Sequence, residues 1–371
     1  MTPITTLRQQ VAAPRHVTLG ALCVLPLLAA TSAWGQAAED ARSRIGYQFH
    51  VENDVFARER TDRWFTNGLR FSATIAQPTR DHDPVARWLL DRTEGLTLGE
   101  DVRGAAATRQ VTYTVGQNMY TPRRIDIAEP QRLDRPWASW LYAGVTVQGY
   151  AERGGLAGAG SFQQTDLKLG VTGRASGAAW AQRWFHKVID SRYPAGWEQQ
   201  VRQQLGVQLS HLRIYRLGDT DKNDWIGLHA GGGLTVGNLR SYGTAVAGVV
   251  VGPLGGRNPV FVPANEGDFV IQDLGKGPAY DRWLAFANVS LTAVASNRFI
   301  TGPTPYGRSD IQLRRSVPAW QWGLAFPMPF AEGWRVVYTQ TARESEFDSP
   351  AVGAREGLQR WGAVTLTRVL R

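Results

Sequence analysis

A single antiparallel β-barrel of the outer-membrane kind is the fold class predicted for this 371-residue chain, and three observations predict it. The chain opens with an export signal. Beyond it, apolar and polar residues alternate along one segment after another. No later stretch approaches the roughly 20 apolar residues that cross a bilayer as a helix.

The signal occupies residues 1–37. Arg8 and Arg15 precede an apolar run from Val17 to Ala30, and small residues around "SAWGQAA" place cleavage near Gly35 or Ala37. The only cysteine, Cys23, lies inside that run behind Leu22, which is too large for the position before a lipid-attachment cysteine. The exported chain is therefore expected to hold no disulfide. Without the two leader arginines, the formal charge of +9 falls to about +7. That balance suits phosphorylated lipid or nucleic acid equally, and it is also ordinary for a solvated surface.

Residues 38–371 read as one barrel domain. Ile45, Tyr47, Phe49 and Val51 alternate with Gly46, Gln48, His50 and Glu52. Leu69, Phe71, Ala73 and Ile75 alternate with Arg70, Ser72, Thr74 and Ala76, and Val111, Tyr113 and Val115 alternate with Thr112, Thr114 and Gly116. The same period predicts strands near 138–150, 160–173, 199–216, 223–239, 242–252, 281–297, 309–326, 332–346 and 359–370, twelve in all. An even count lets both ends of the barrel lie on the periplasmic side, and closure removes exposed edges. Trp320, Trp322, Phe326, Trp334 and Tyr338 are expected in the aromatic girdles. For any one strand, a soluble sandwich is the competing reading.

One segment reads as a helix: "SGAAWAQRWFHKVIDS", Ser176 to Ser191, with Ser176 a candidate cap. Gln182 and His186, four apart, share one face of it. Strand parity then puts three polar stretches at the outer rim: "ENDVFARERTDRWFTNG", "GQNMYTPRRIDIAEPQRLDRPWASW" and the Gln182/His186 helix. The inner connections 78–108 and 253–280 are long for periplasmic turns.

Each motif has two readings. Asn53 and Asp54 offer hard oxygen ligands at a strand end, where free carbonyls also suit calcium; the same pair also makes an ordinary Asx turn. Asp62 can pair with Arg63, Asn67-Gly68 can bend the chain, and Thr66 can present its hydroxyl beside Asp54. His50 faces the expected lumen. His186 is either a general base or an ordinary residue of an amphipathic helix. There is no GxSxG, HExxH, cysteine cluster or Walker loop, and the glycines of "HAGGGLTVGN" fit tight strand packing.

Taken together, "ENDVF", "TDRWFTNGLRFS", "GQNMYTP", "DRPWASWLY", "QRWFHKVI" with "YPAGWEQQ", and "GNLRSYG" resemble, in order, the lipid A 3′-O-deacylase family of Gram-negative outer membranes. The resemblance spans residues 45 to 242 and weakens toward the end. It implies a twelve-stranded barrel with its site between the wall and a helix near the outer face. It also implies calcium-dependent hydrolysis of the ester that holds the 3′ acyloxyacyl chain. Carried over by position, His186 would be the base that activates water, and Gln182 would position it. Asn53 and Asp54 would organise calcium, and Thr66 would orient the site.

This sequence departs from the family at two supporting charges. The lysine expected after the Tyr-x-Pro element has no clear counterpart, and Arg123 or Arg124 stands where its charge would bind lipid A phosphate. An acid a short way past the histidine is also missing, with Ser191 and Arg192 in its place. The chain ends "TRVLR" where such barrels commonly end on an aromatic. The partners implied are lipid A and outer-membrane lipid, with no nucleic acid and a monomeric barrel. A non-catalytic channel or structural barrel and a phospholipase with a dispersed Ser/His site are the competing functions.

Overall fold

Twelve antiparallel strands pair in an unbroken ring. The computed structural model describes residues 44–57, 63–76, 88–89, 91–92, 108–151, 160–217, 225–254, 282–351 and 357–370. The signal segment, Asp62 and most of the connections 78–108 and 253–280 lie outside them. The strands are β1 (Arg44–Asn53), β2 (Trp64–Ala76), β3 (Thr108–Thr121), β4 (Ala138–Ala151), β5 (Ser161–Thr172), β6 (Leu205–Leu217), β7 (Ile226–Gly237), β8 (Arg240–Val251), β9 (Leu284–Asn297), β10 (Gln312–Leu313), β11 (Ser316–Pro327), β12 (Trp334–Glu344), β13 (Phe347–Asp348) and β14 (Leu358–Leu370). All but β10 and β13 form the wall, which closes where β1 meets β14 from Ile45↔Leu370 to Asn53↔Gly362. The short β10 and β13 pair with each other above the rim.

Alternation decides what each face meets. Leu69, Val115, Leu141, Leu169, Leu209, Leu234, Val289 and Leu324 stand exposed on the outside, whereas Gln48, His50, Glu52, Arg70, Thr112, Asp166, Lys168 and Thr365 are buried inside. Several interior charges are paired: Glu52 lies 3.3 Å from His50 and 3.6 Å from Arg70, and Lys168 lies 3.1 Å from Asp166. The glycine run of β7 packs closely, as expected, since a Cβ on Gly231 would strike the carbonyl oxygen of Arg213.

One end of the barrel carries residues 54–57, 63, 122–137, 173–204, 238–239, 298–315, 345–351 and 357. Here an aromatic cluster spans the lumen. Phe65 meets Trp361 edge-on at 5.6 Å, and Tyr120 stacks on Phe299 at 4.8 Å. Phe299 comes from the short helix Arg298–Thr301, whose cap Asn297 accepts the Phe299 N–H at 3.0 Å.

Several expected boundaries move. The strand read as 199–216 begins at Leu205, because Gly196–Gln199 is a 3₁₀ turn and Val201 turns into the aromatic cluster. The strand read as 309–326 begins at Ser316, because Gln312–Leu313 pairs across the rim with Phe347–Asp348. The helix read as 176–191 spans Ala178–Val188. Of the expected girdle residues, Phe326 and Trp334 stand near the far end with Trp225 and Trp283, while Trp320 and Trp322 stand part-way along the wall.

Candidate active site

The helix Ala178–Val188 is mounted on the outside of the wall. In β3 the outward row runs Val115, Gln117, Met119, yet Met119 is buried, together with Ala178, Ile125, Trp137 and Trp197. A 3₁₀ turn, Gly173–Ser176, leads into the helix through Gly177 at φ 70°, a left-handed conformation that suits glycine. Ser176, expected as the cap, lies in the turn instead, and its Oγ accepts the Ala178 N–H only at 3.4 Å. Its stronger bonds hold the helix to the barrel: Gln117 Nε2 donates to the Ser176 carbonyl at 2.6 Å, and Ser139 shares a hydroxyl hydrogen bond with Ser176 at 2.6 Å.

The helix is amphipathic in the reverse sense. Ala178, Gln182 and His186 form its buried face, with His186 only 4% exposed, whereas Trp180, Trp184, Phe185 and Val188 are exposed. Both buried polar side chains have defined partners. The Trp197 indole N–H donates to Gln182 Oε1 at 2.7 Å. His186 Nδ1 lies 2.6 Å from the Arg192 carbonyl, which can only accept, so Nδ1 carries a proton and, in the neutral ring, Nε2 is the accepting nitrogen. The turn that carries this carbonyl holds Asp190 at φ 52° and returns the Ser191 N–H to the His186 carbonyl at 2.9 Å.

Asn53 ends β1, and its Oδ1 accepts the Val55 N–H at 2.8 Å, so the Asx turn is realised. Asp54 follows in the 3₁₀ turn Asp54–Ala57 and is buried to 1% exposure. The Phe56 carbonyl accepts from Tyr338 Oη at 3.1 Å and Gln340 Nε2 at 2.7 Å, which lays this turn against β12 and β14. Thr66 is the extra residue of a β-bulge, since Phe65 opposes Tyr120 while Asn67 opposes Met119. Such bulges re-aim a side chain, and the Thr66 hydroxyl meets that of Thr121 at 2.5 Å.

Because β1, β2, β3 and β4 are consecutive in the wall, Asn53, Asp54, Thr66, Gln182 and His186 occupy one sector of one rim. The hydrogen bonds described join them in three groups: Asn53 with Val55, Thr66 with Thr121, and the helix pair with Trp197 and Arg192. Among the described residues, no group of three or more His, Cys, Asp or Glu side chains converges as a metal cluster would. The donor chemistry of the Asp54 corner still fits a hard cation: one buried carboxylate, an amide oxygen with a second lone pair, and carbonyls at a strand end.

Arg123 and Arg124 are anchored already. Arg123 Nη2 donates to the Ala351 carbonyl at 2.8 Å, and Arg124 grips Asp126 through two bonds of 3.1 Å, which hold that carboxyl below its ordinary range. The loop they stand on is pinned by Asp134, which accepts the N–H groups of Arg123 (2.8 Å), Arg135 (2.7 Å) and the Trp64 indole (3.1 Å). Burial pushes the Asp134 carboxyl up, and these donors offset only part of that rise. Sequence reasoning assigned no role to Trp197, Asp134 or the Arg192 carbonyl. A bulky Trp197 within the polar "AGWEQQ" was the one available signal; a backbone acceptor has none.

The family model described as "Outer membrane protein LpxR" matches residues 20–370. The chain belongs to the LpxR family. It is accordingly a protein of the Gram-negative outer membrane, and the family acts on lipid A there. Among solved structures, LpxR from Salmonella typhimurium matches with a TM-score of 0.62 at 16% identity, covering 87% of this chain and 99% of that one. The translocator domain of the autotransporter NalP from Neisseria meningitidis (TM-score 0.39, 10% identity, 93% and 95% covered) and the β domain of the Bordetella autotransporter BrkA (0.38, 8%, 88% and 98%) are more distant. No curated protein matches the chain. At such identity the LpxR structure speaks for the fold alone: a closed twelve-stranded barrel.

Proposed function

We infer that this LpxR-family barrel hydrolyses the ester that holds the 3′ acyloxyacyl chain of lipid A, with His186 as general base and the site turned to the outer leaflet. One observation carries the reading. A histidine and a glutamine are buried between the lipid-facing wall and an external helix, with the imidazole Nδ1 bound to a backbone carbonyl. A helix that faces lipid exposes apolar residues such as Trp180 and Trp184 whatever its role; this one also turns a glutamine and a histidine, rather than apolar side chains alone, against the wall.

In this reading His186 Nε2 takes a proton from water, and the hydroxide adds to the ester carbonyl carbon. The bond from carbonyl carbon to sugar oxygen then breaks. The imidazolium returns its proton to the departing sugar hydroxyl, and the acyloxyacyl acid is released without an acyl-enzyme. Gln182, fixed by Trp197, holds the polar end of the cleft in register, and the Thr66 hydroxyl orients water or substrate. Asp54 and Asn53 would hold calcium, which when bound would stabilise negative charge developing on the carbonyl oxygen. Arg123 or Arg124 would meet lipid A phosphate by exchanging its present acceptor for it.

The test is mass spectrometry of lipid A from cells that express the intact chain, beside cells that express His186→Ala, with calcium present. The expected result is loss of the 3′ acyloxyacyl mass with the unmodified chain alone. Full acylation in both samples, with the barrel folded and inserted, would end this reading.

A further inference from the structure

A cleft lies along one flank of the external helix, and His186 is among the residues that line it. Arg183 and Lys187 form one i, i+4 row, and Trp180 and Trp184 form the row beside it. Across a space of about 720 Å³ stand Arg174, Tyr193 and Glu198. The two indoles stack at 6.3 Å with planes 13° apart, and they are 72% and 51% exposed. The Arg183 guanidinium lies over the Tyr193 ring at 5.5 Å.

The charges do not balance. Glu198 lies 2.6 Å from Arg174 and 3.8 Å from Arg183, so one carboxylate serves two guanidinium groups, and the exposed Lys187 adds a third cation. Leu169 of β5 and Leu205 and Val207 of β6, the strands on either side of the helix in the chain, are exposed on the lipid-facing wall. Exposed tryptophans beside cations at a strand end mark headgroup depth in a membrane.

We propose that this cleft binds the phosphate group of an outer-leaflet lipid, with Lys187 and Arg183 on the phosphate and Trp180 and Trp184 against the first carbons of the acyl region. It is distinct from the Asn53/Asp54 corner and from the loop that carries Arg123 and Arg124. It shares the cleft of His186 and so deepens the reading given above and rests on it, while the binding it predicts is read without ester hydrolysis.

The experiment titrates the full-length barrel, in uncharged detergent micelles, with dioleoyl phosphatidic acid and with dioleoylglycerol, and counts retained lipid by native mass spectrometry. Lys187→Ala, an exposed change, is compared with the unmodified chain and with Arg183→Ala/Lys187→Ala; migration of the unheated barrel on a gel confirms the fold. The expected result is phosphatidic acid binding weakened about tenfold by Lys187→Ala and further in the double variant, with dioleoylglycerol binding weak and unchanged. Bisphosphorylated lipid A added to the same titration should displace phosphatidic acid. Equal phosphatidic acid binding by all three proteins, an equal loss for both lipids, or no displacement by lipid A would overturn the proposal. Because neither probe carries a 3′ acyloxyacyl ester, the outcome is independent of whether His186 is the base.

Discussion

Two short helices on the same rim bury opposite kinds of residue. Ala178–Val188 hides Gln182 and His186 and exposes Trp180, Trp184 and Phe185, whereas Arg298–Thr301 hides Phe299 and Ile300 in the mouth of the lumen. The first faces lipid, so its apolar side is the solvated one and its polar groups need partners inside the protein. The second faces a polar lumen and behaves as a soluble helix does. Burial alone therefore ranks residues wrongly here: a buried histidine outside the wall is the unusual observation, and a buried phenylalanine inside is not.

The largest effect that sharpens this contrast is on activity. His186→Ala is expected to lower lipid A deacylation by about 10²–10⁴-fold, the range of a lost general base, with the heat-shifted gel mobility of the barrel unchanged. Phe299→Ala is expected to do the reverse. It opens a hole between Tyr120 and Trp140 and costs about 3–5 kcal/mol in the unfolding free energy measured in lipid vesicles, while deacylation persists.

Smaller effects separate positioning from packing. Gln182→Leu leaves the buried Trp197 N–H without its acceptor, at about 1–3 kcal/mol, and should lower the deacylation rate; Gln182→Glu keeps an acceptor and should recover much of the stability. At Asp190, whose φ is 52°, glycine should be neutral or slightly stabilising. Valine should cost about 1–2 kcal/mol and reduce kcat with little change in KM, because the turn that carries the Arg192 carbonyl moves.

The smallest is a pH effect on the rim. The folded pKa of Asp134 is raised by burial, so its contribution to stability is fully present below the ordinary carboxylate range and fades as pH rises through the folded value. Asp134→Asn should flatten that slope, and denaturant midpoints at pH 3.5 and 7 for the two proteins check it.

Much of this was legible in the sequence because a period of two is a direct imprint of a two-faced wall, and because Gln182 and His186 lie one helical turn apart. The limits were equally physical. The bulge at Thr66 adds one residue without altering composition, so it leaves no mark on the pattern. The segment 310–315 keeps the strand period although it pairs with Phe347–Asp348 above the rim, and alternation carries no information about which neighbour a strand will choose. The reversed helix was the subtler case: its pattern announces amphipathicity but not which side meets lipid. Asn53 satisfies the Asx turn and stays available through its second lone pair, so both of its readings survive in one residue.

Closure of the ring has a consequence for the order of assembly. The turn that carries Asp54 leans on Tyr338 and Gln340, and Asn53 pairs opposite Gly362, so the first strand's corner is seated on the last long hairpin of the chain. The helix with His186 needs only β3, β4 and the segment that follows it. If His186 is the base proposed above, a chain caught before its ends meet would hold that base without a finished Asp54 corner on the same rim, and joining the first strand to the last would complete the site.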